Sequence, residues 1–237
     1  MLKSEIIKYN DGNLSCEAYC AYDDAISQKK PLILVCHDWS GRNEFACQKA
    51  DALATLGYIG FAVDMYGNAK TAQAKEDKMA LIQPLLQDRN ILKNRIVAAF
   101  DAAKKIKSVD SAKIAAIGFC FGGLCALDLA RSGAEVKGVV SFHGLLNAPE
   151  NTNQATIKSK VLVLHGYDDP MVTPDGVLSF AREMTEAKVD WQLFMYGNTM
   201  HAFTNPQAND PGFGTVYSKS ADARSWLAMK NFFEEIF

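Results

Sequence analysis

Short apolar runs alternate with amphipathic stretches along most of the chain. The apolar runs lie at residues 31–37, 58–66, 113–120, 136–144, 161–166 and 190–197. Helical spacing of apolar positions predicts helices between them, at 44–56, 75–107 in one or two pieces, 121–132, 174–187 and 222–236. Near-continuous apolar runs are typical of strands covered on both faces. The alternation therefore predicts an α/β fold with a mostly parallel central sheet and helices on both faces.

The first segment of the chain has a different pattern, because its apolar and polar residues are mixed. Residues 5–9 and 14–22 flank a short polar sequence that contains Asp11 and Gly12. Two strand-like segments separated by an Asp-Gly pair are typical of a β-hairpin. We expect an N-terminal antiparallel hairpin with its turn at Asp11-Gly12.

Length and charge limit the possible classes of function. The chain has 237 residues, 49% of them hydrophobic and 22% charged, which is typical of a globular enzyme and predicts a single domain over residues 1–237. The formal net charge of −2 shows no basic excess, so we expect neither a nucleic acid nor a membrane surface as partner. The chain has no signal-like or membrane-spanning apolar run, which predicts a cytoplasmic location.

The cysteines do not form a recognisable metal or disulfide pattern. There are six of them, with no CxxC pair and no nearby cluster of cysteine and histidine. We expect free thiols, no metal and no cofactor.

One of these cysteines occupies a position that suggests catalysis. Gly118-Phe119-Cys120-Phe121-Gly122 follows a predicted strand and opens a predicted helix, and it fits the pattern Gly-x-nucleophile-x-Gly. A sharp strand-to-helix turn strains the nucleophile's backbone and requires small residues on both sides of it. The alternative is a buried structural cysteine in a glycine-rich turn.

Acid and base candidates follow this cysteine in the chain. Asp168 and Asp169 come after one predicted strand, and His201 comes after the last strand. Nucleophile, acid and then histidine is the chain order of α/β-hydrolases. His165 is the competing base, and Asp168 competes with Asp169, which the proline-stiffened turn at Pro170 favours as the acid.

Acyl transfer also needs donors for the negative charge that develops on the carbonyl oxygen. One candidate is the backbone N–H of Phe121, which follows the nucleophile at the start of a helix. The second candidate is the N–H of Trp39, in the loop after the first long strand. His37 and His143 also follow predicted strands and are candidates for lining the pocket.

Several segments, taken in order, resemble those of dienelactone hydrolases, also called carboxymethylenebutenolidases. They are CHDWSG, FAVDMYG, IAAIGFCFGG, VVSFHG, HGYDDPMV and YGNTMHAFTNPQA, and together they cover nearly the whole chain. The resemblance implies an α/β-hydrolase fold and a catalytic triad of Cys120, His201 and Asp169. It also implies that the N–H groups of Trp39 and Phe121 bind the oxyanion.

Two positions differ from the pattern of this family. Asp38 stands where the family has a glutamate that contacts the resting thiol, and Asn205 stands where it has an arginine that binds the substrate carboxylate. Arg42, Arg89 and Arg95 are other candidates for such a clamp, although solvated surface positions are expected for all three.

The sequence therefore predicts a cysteine hydrolase of small carboxylic esters or lactones that works through an acyl-enzyme, as a monomer or small homo-oligomer. A thioesterase or peptidase on the same site is an alternative, because the triad specifies acyl transfer but not the leaving group. A non-catalytic protein that binds or senses through Cys120 is a third possibility.

Overall fold

An eight-stranded sheet forms the centre of the computed structural model, which describes residues 1–25, 28–150 and 156–237. The strands are β1 (Leu2–Asp11), β2 (Leu14–Asp23), β3 (Lys30–Cys36), β4 (Ile59–Ala62), β5 (Val109–Phe119), β6 (Gly138–Phe142), β7 (Lys160–Gly166) and β8 (Trp191–Tyr196). Their spatial order is β1-β2-β4-β3-β5-β6-β7-β8, with β3 to β8 parallel and β1 and β2 antiparallel at one edge. The predicted fold class, including its N-terminal hairpin, is confirmed.

Helices cover both faces of this sheet. On one face lie α1 (Glu44–Thr55) and α6 (Lys219–Ile236), and on the other lie α2 (Lys75–Gln87), α3 (Arg89–Lys104), α4 (Phe121–Arg131) and α5 (Pro174–Glu186). Successive side chains of a strand point to opposite faces. In β3, Leu32 and Leu34 enter one core cluster, whereas Ile33 and Val35 enter the other. All four are fully buried, which explains why the strand reads as a continuous apolar run.

The hairpin turn lies one residue later than predicted. Asp11 pairs with Leu14, so the two turn residues are Gly12 and Asn13. Gly12 has a φ of 57°, a left-handed conformation that glycine adopts without steric cost.

Two further boundaries are set by aspartate side chains that bind the backbone. The first differs from the prediction, and the second divides a stretch that was predicted as one or two helices. The strand predicted at 58–66 ends at Ala62, since the carboxylate of Asp64 accepts hydrogen bonds from the following loop. The helical stretch predicted at 75–107 divides at Asp88, whose side chain caps the start of α3 by accepting from the N–H of Asn90.

A short antiparallel pair, β9 (Asn209–Asp210) and β10 (Thr215–Val216), was not predicted by the periodicity. It follows the loop that carries His201, and the turn between its strands brings Phe213 to the carboxyl edge of the sheet.

Across the described residues, no helix has both the length and the apolar character needed to cross a membrane.

Candidate active site

Cys120 lies at the sharp turn between β5 and α4. Its φ of 56° is a left-handed conformation that is uncommon for a residue with a side chain. A Cβ atom at Gly118 would lie 1.8 Å from the carbonyl oxygen of Gly122, and one at Gly122 would lie 2.1 Å from that of Cys36. Any larger residue at either position would therefore collide with backbone. The close packing of strand, turn and helix explains both glycines and presents Cys120, half-buried, at the N-terminus of α4.

His201 and Asp169 come together at the same edge of the sheet. The Nδ1 atom of His201 lies 2.7 Å from Oδ2 of Asp169, and both side chains are buried. The Nε2 atom of His201 is buried and has no hydrogen-bond partner among the described residues. Cys120 is close enough to His201 to raise the pKa of this histidine. With Nδ1 engaged by Asp169, Nε2 is the ring nitrogen without a hydrogen-bond partner among the described residues.

The surroundings of His201 favour its protonated form. Burial lowers the pKa of this histidine, but the facing Cys120 and the hydrogen-bonded Asp169 outweigh burial and raise the pKa to about 10. An imidazolium at neutral pH would stabilise a thiolate on Cys120 and could later donate its proton to a leaving group.

His143 binds the backbone of the nucleophile. The N–H of Cys120 donates to Nδ1 of His143 at 3.2 Å, and also to the carbonyl of Phe142 at 3.1 Å. Because Nδ1 accepts, Nε2 carries the proton and donates to Oγ1 of Thr204 at 2.8 Å. Burial and the neighbouring His201 lower the pKa of His143 well below its usual range, so this ring is neutral. The structure thus places His143 under the turn that carries Cys120.

The competing acid and base candidates occupy different environments. Asp168 is exposed, whereas its neighbour Asp169 is buried against His201. His165 lies buried within β7, and its Nδ1 has no hydrogen-bond partner in the part of the chain that the structure describes. Burial lowers the pKa of His165. The geometry brings Asp169, and not Asp168, to His201.

The two proposed oxyanion donors belong to two different segments of the chain. Phe121 is the first residue of α4, directly after Cys120, and Trp39 lies in the loop that follows β3. Asp38 lines the same cavity as Cys120, and its Oδ1 accepts from the N–H of Ser40 at 2.7 Å. The carboxylate is therefore held in place in the lining of the cavity.

Removing this carboxylate is expected to make Cys120 more reactive. A negative charge beside the sulfur opposes the thiolate, which is the form that alkylating reagents attack. In Asp38→Ala, alkylation by iodoacetamide at neutral pH should accelerate about two- to tenfold. The measurement is the rate of carbamidomethylation of Cys120 followed by mass spectrometry. Asp168→Ala is the matched control, and equal rates in wild type and Asp38→Ala would contradict the expectation.

A cavity of about 460 Å³ opens beside Cys120. Most of the lining surface is apolar, although polar and charged side chains also contribute to it, and such a mixture is usual for sites that bind small molecules. Its lining includes Cys120, His201, Asp38, Trp39, His143, Asn205, Phe45, Phe119, Leu145, Met171 and Phe213. The structure thus brings Asp38, Trp39, His143 and Asn205 to one cavity with Cys120 and His201, and Asp169 joins them through its contact with His201. His37, the other candidate for lining the pocket, does not line this cavity.

One wall of the cavity contains two lysines that sequence reasoning missed. Trp39 stacks on Phe213 at 5.7 Å, Lys78 lies 5.3 Å from the Trp39 ring centre, and Lys75 lies 4.5 Å from that of Phe213. Lys75 also pairs with Asp210 at 2.8 Å. Because Lys75 and Asp210 are 135 residues apart, no local pattern in the sequence could have indicated this contact.

The three arginines considered as anion clamps do not line this cavity. Arg89 is buried and forms two hydrogen bonds with Asp128, at 2.6 and 2.7 Å, so the expected surface position is wrong for this residue. Arg95 is half-buried and pairs with Asp11 at 3.1 Å. Both arginines serve contacts between secondary-structure elements.

Comparisons with known proteins agree on one family. Residues 16–237 match the model of the dienelactone hydrolase family. The crystal structure of a dienelactone hydrolase-like promiscuous phosphotriesterase from metagenomic libraries is 38% identical, with a TM-score of 0.93 over 100% of this chain and 99% of that one. A structure named m3DLH is 37% identical, with a TM-score of 0.95 over the same shares. An uncharacterized protein of Caenorhabditis elegans is 38% identical over 65% of this chain and 99% of its own length.

Proposed function

This chain belongs to the dienelactone hydrolase family, and on that premise we propose that it hydrolyses small carboxylic esters or lactones through an acyl-enzyme on Cys120. The observation that carries this proposal is the contact of His201 with Asp169, on the side of the cavity where Cys120 stands at its strained turn. A nucleophile, a base and an acid that orients the base are the three groups that acyl transfer of this kind requires.

In the first half of the reaction, the Cys120 sulfur attacks the carbonyl carbon of the substrate. The carbonyl oxygen takes up the electron pair and becomes an oxyanion, which the N–H groups of Trp39 and Phe121 bind. When the oxyanion collapses, the bond to the alkoxide breaks and His201 donates its proton to the departing oxygen. A lactone opens in this step and remains attached to the enzyme as a thioester.

Acylation changes the charge that His201 faces. The interaction with Cys120 is the largest influence that raises the pKa of His201, and in the proposed mechanism it is lost when the sulfur forms the thioester. The imidazole is then better able to accept a proton from water, whose oxygen attacks the thioester carbonyl. Collapse of the second oxyanion releases the carboxylic acid and restores the thiolate and the imidazolium. Asp169 holds Nδ1 throughout, so that Nε2 remains the atom that exchanges protons.

Turnover of simple activated esters tests this proposal. Purified protein should hydrolyse para-nitrophenyl acetate and a small neutral lactone for many cycles per active site, with release of nitrophenol or a ring-opened acid as the readout. A protein that only binds or senses through its thiol would instead release at most one equivalent and stop. Absence of repeated turnover on a panel of charged and neutral esters and lactones would contradict the proposal.

Hydrolysis of phosphotriesters is a second candidate activity. It is favoured by the 38% identity, over the full chain, to a protein named as a promiscuous phosphotriesterase. The same sulfur could attack phosphorus, with the developing charge on the phosphoryl oxygen bound by the same two N–H groups. Comparison of kcat/KM for para-nitrophenyl acetate and for a para-nitrophenyl dialkyl phosphate separates the two, and we expect the carboxylic ester to be preferred.

The charges around the cavity bear on which substrates it accepts. Lys75 and Lys78 are balanced by Asp210 and Asp38, and Asn205 carries no charge. We therefore propose weak selection for anionic substrates and measurable hydrolysis of neutral aryl esters.

Introducing an arginine at Asn205 is expected to create selection for anionic substrates. A guanidinium can pair with a carboxylate through two hydrogen bonds, and charge-assisted hydrogen bonds contribute about 1.5–3 kcal/mol. In Asn205→Arg, kcat/KM for a carboxylate-bearing dienelactone should rise roughly tenfold to a hundredfold. The methyl ester of the same lactone is the control and should change little. Strong preference of the wild type for the free acid would contradict the expectation and indicate that Lys75 or Lys78 already binds it.

A further inference from the structure

His37 makes two hydrogen bonds that determine where its proton lies. The N–H of Met65 donates to Nε2 at 3.2 Å, so Nε2 is an acceptor. Nδ1 lies 2.5 Å from the carbonyl oxygen of Asp38, which can only accept, so Nδ1 carries the proton and donates it. The ring is 1% exposed, and burial lowers the pKa of His37, which agrees with a neutral imidazole. The mechanism proposed above does not use this histidine.

The carbonyl that His37 binds belongs to the same peptide unit as the N–H of Trp39. A peptide unit is planar and trans, and its C=O and N–H point in opposite directions. A hydrogen bond to the oxygen of Asp38 therefore also determines the direction of the Trp39 N–H. It polarises the amide as well, which strengthens the N–H as a donor.

The next peptide unit is held by a second contact. The hydroxyl of Tyr66 donates to the carbonyl oxygen of Trp39 at 2.9 Å. Tyr66 lies in a loop that the fully buried carboxylate of Asp64 organises by accepting four backbone N–H bonds at 2.7–3.1 Å. Both peptide units that flank Trp39 thus accept a hydrogen bond from a side chain, one from His37 and the other from Tyr66.

We propose that His37 and Tyr66 are positioning residues of the oxyanion hole, which hold the Trp39 N–H in the direction that a developing oxyanion requires. The inference rests on the proposed function, because it takes the Trp39 N–H as an oxyanion donor. Neither side chain touches substrate in this account. Each acts on the backbone of Trp39.

A purely structural role is the competing explanation, since the His37 ring also packs 4.8 Å from Tyr66 and 6.2 Å from Phe121. Asparagine and leucine at position 37 separate the two explanations. They have nearly the same shape and both lose the acceptor for the Met65 N–H, but only asparagine keeps a donor close to the position of Nδ1. A difference between the two variants therefore reports the bond to the carbonyl of Asp38.

The experiment measures kcat and KM for para-nitrophenyl acetate in the full-length protein. His37→Leu should lower kcat about 10- to 100-fold with KM within about threefold, because loss of an oxyanion donor costs about 10²–10³ in kcat and a misdirected donor keeps part of its effect. His37→Asn should remain within about fivefold of wild type. Tyr66→Phe deletes one hydroxyl and keeps the ring, and it should lower kcat about three- to tenfold. If His37→Leu does not fold, this variant still tests the peptide units that flank Trp39.

Alkylation of Cys120 by iodoacetamide distinguishes a positioning role from a purely structural one, because only a structural role would lower the alkylation rate together with kcat. This displacement places no charge on a carbonyl oxygen, so its rate should stay within about twofold of wild type in all three variants. Any of three results would overturn the inference. His37→Leu and His37→Asn could be equally impaired, kcat could be unchanged in His37→Leu or Tyr66→Phe, or the alkylation rate could fall in parallel with kcat. If Cys120→Ala retains turnover, the proposed function has failed. If Cys120→Ala is inactive and His37→Leu is fully active, only this inference has failed.

Discussion

Replacing Cys120 with alanine is expected to lower kcat for ester hydrolysis by roughly three to six powers of ten, as deletion of a triad nucleophile does. At the turn between β5 and α4, Phe119 and Cys120 line the cavity, and Cys120 is the nucleophilic one of the two; no other thiol lines that cavity. Binding and the oxyanion donors would remain, so the residual rate should still exceed that of the uncatalysed reaction. The measurement is steady-state hydrolysis of para-nitrophenyl acetate by the purified variant.

Cys125 provides the matched control for this prediction. It lies five residues later, fully buried within α4, and lines no part of the cavity. Cys125→Ala should keep turnover within a few fold of wild type, since it removes a thiol from the same helix but not from the site. An inactive Cys125→Ala together with an active Cys120→Ala would reverse the assignment.

Loss of His201 is expected to be nearly as severe as loss of Cys120. In the proposed mechanism, this imidazole is the group that donates a proton to the leaving alkoxide and later accepts one from water. His201→Ala should lower kcat by about three powers of ten or more, whereas Asp169→Asn should retain more activity because the base itself remains. Asp168→Asn, an exposed neighbour of the acid, is the control and should behave as wild type.

The pH profile of Asp169→Asn makes this prediction more specific. In the wild type, the proton on His201 is present below its pKa of about 10 and is lost as the pH rises through that value. Asp169 is one of the groups that raise this pKa. The alkaline decline of kcat/KM should therefore move to lower pH in Asp169→Asn. An unchanged profile would mean that Asp169 does not act on the proton of His201.

The elements of this fold could be predicted because their causes are local. The apolar run of β3 and the glycines beside Cys120 are readable from periodicity and from the steric needs of one turn. The chain order of Cys120, Asp169 and His201 is equally visible, since each follows a predicted strand. Their convergence then follows from the parallel sheet, in which the carboxyl ends of the strands share one edge.

What the sequence did not indicate depends on contacts between distant segments. The end of β4 at Ala62 follows from the buried carboxylate of Asp64, whose partners include the N–H of Glu17, 47 residues away. The position of Lys75 at the cavity depends on its pairing with Asp210 in a hairpin of two-residue strands. The contact of His37 with the peptide of Trp39 requires a particular tautomer, which the N–H of Met65 and the carbonyl of Asp38 specify.

Interception of the acyl-enzyme tests the central claim most directly. Wild-type protein is mixed with para-nitrophenyl acetate, quenched in acid during turnover, digested and analysed by mass spectrometry, with Cys120→Ala and Cys125→Ala treated in parallel. We predict an acetyl group on the peptide that contains Cys120, located on that residue, in the wild type and in Cys125→Ala, and none in Cys120→Ala. Two results would contradict this mechanism. In one, the wild type hydrolyses the ester continuously while the acetyl group is on another residue; in the other, Cys120→Ala is acetylated to the same extent as the wild type.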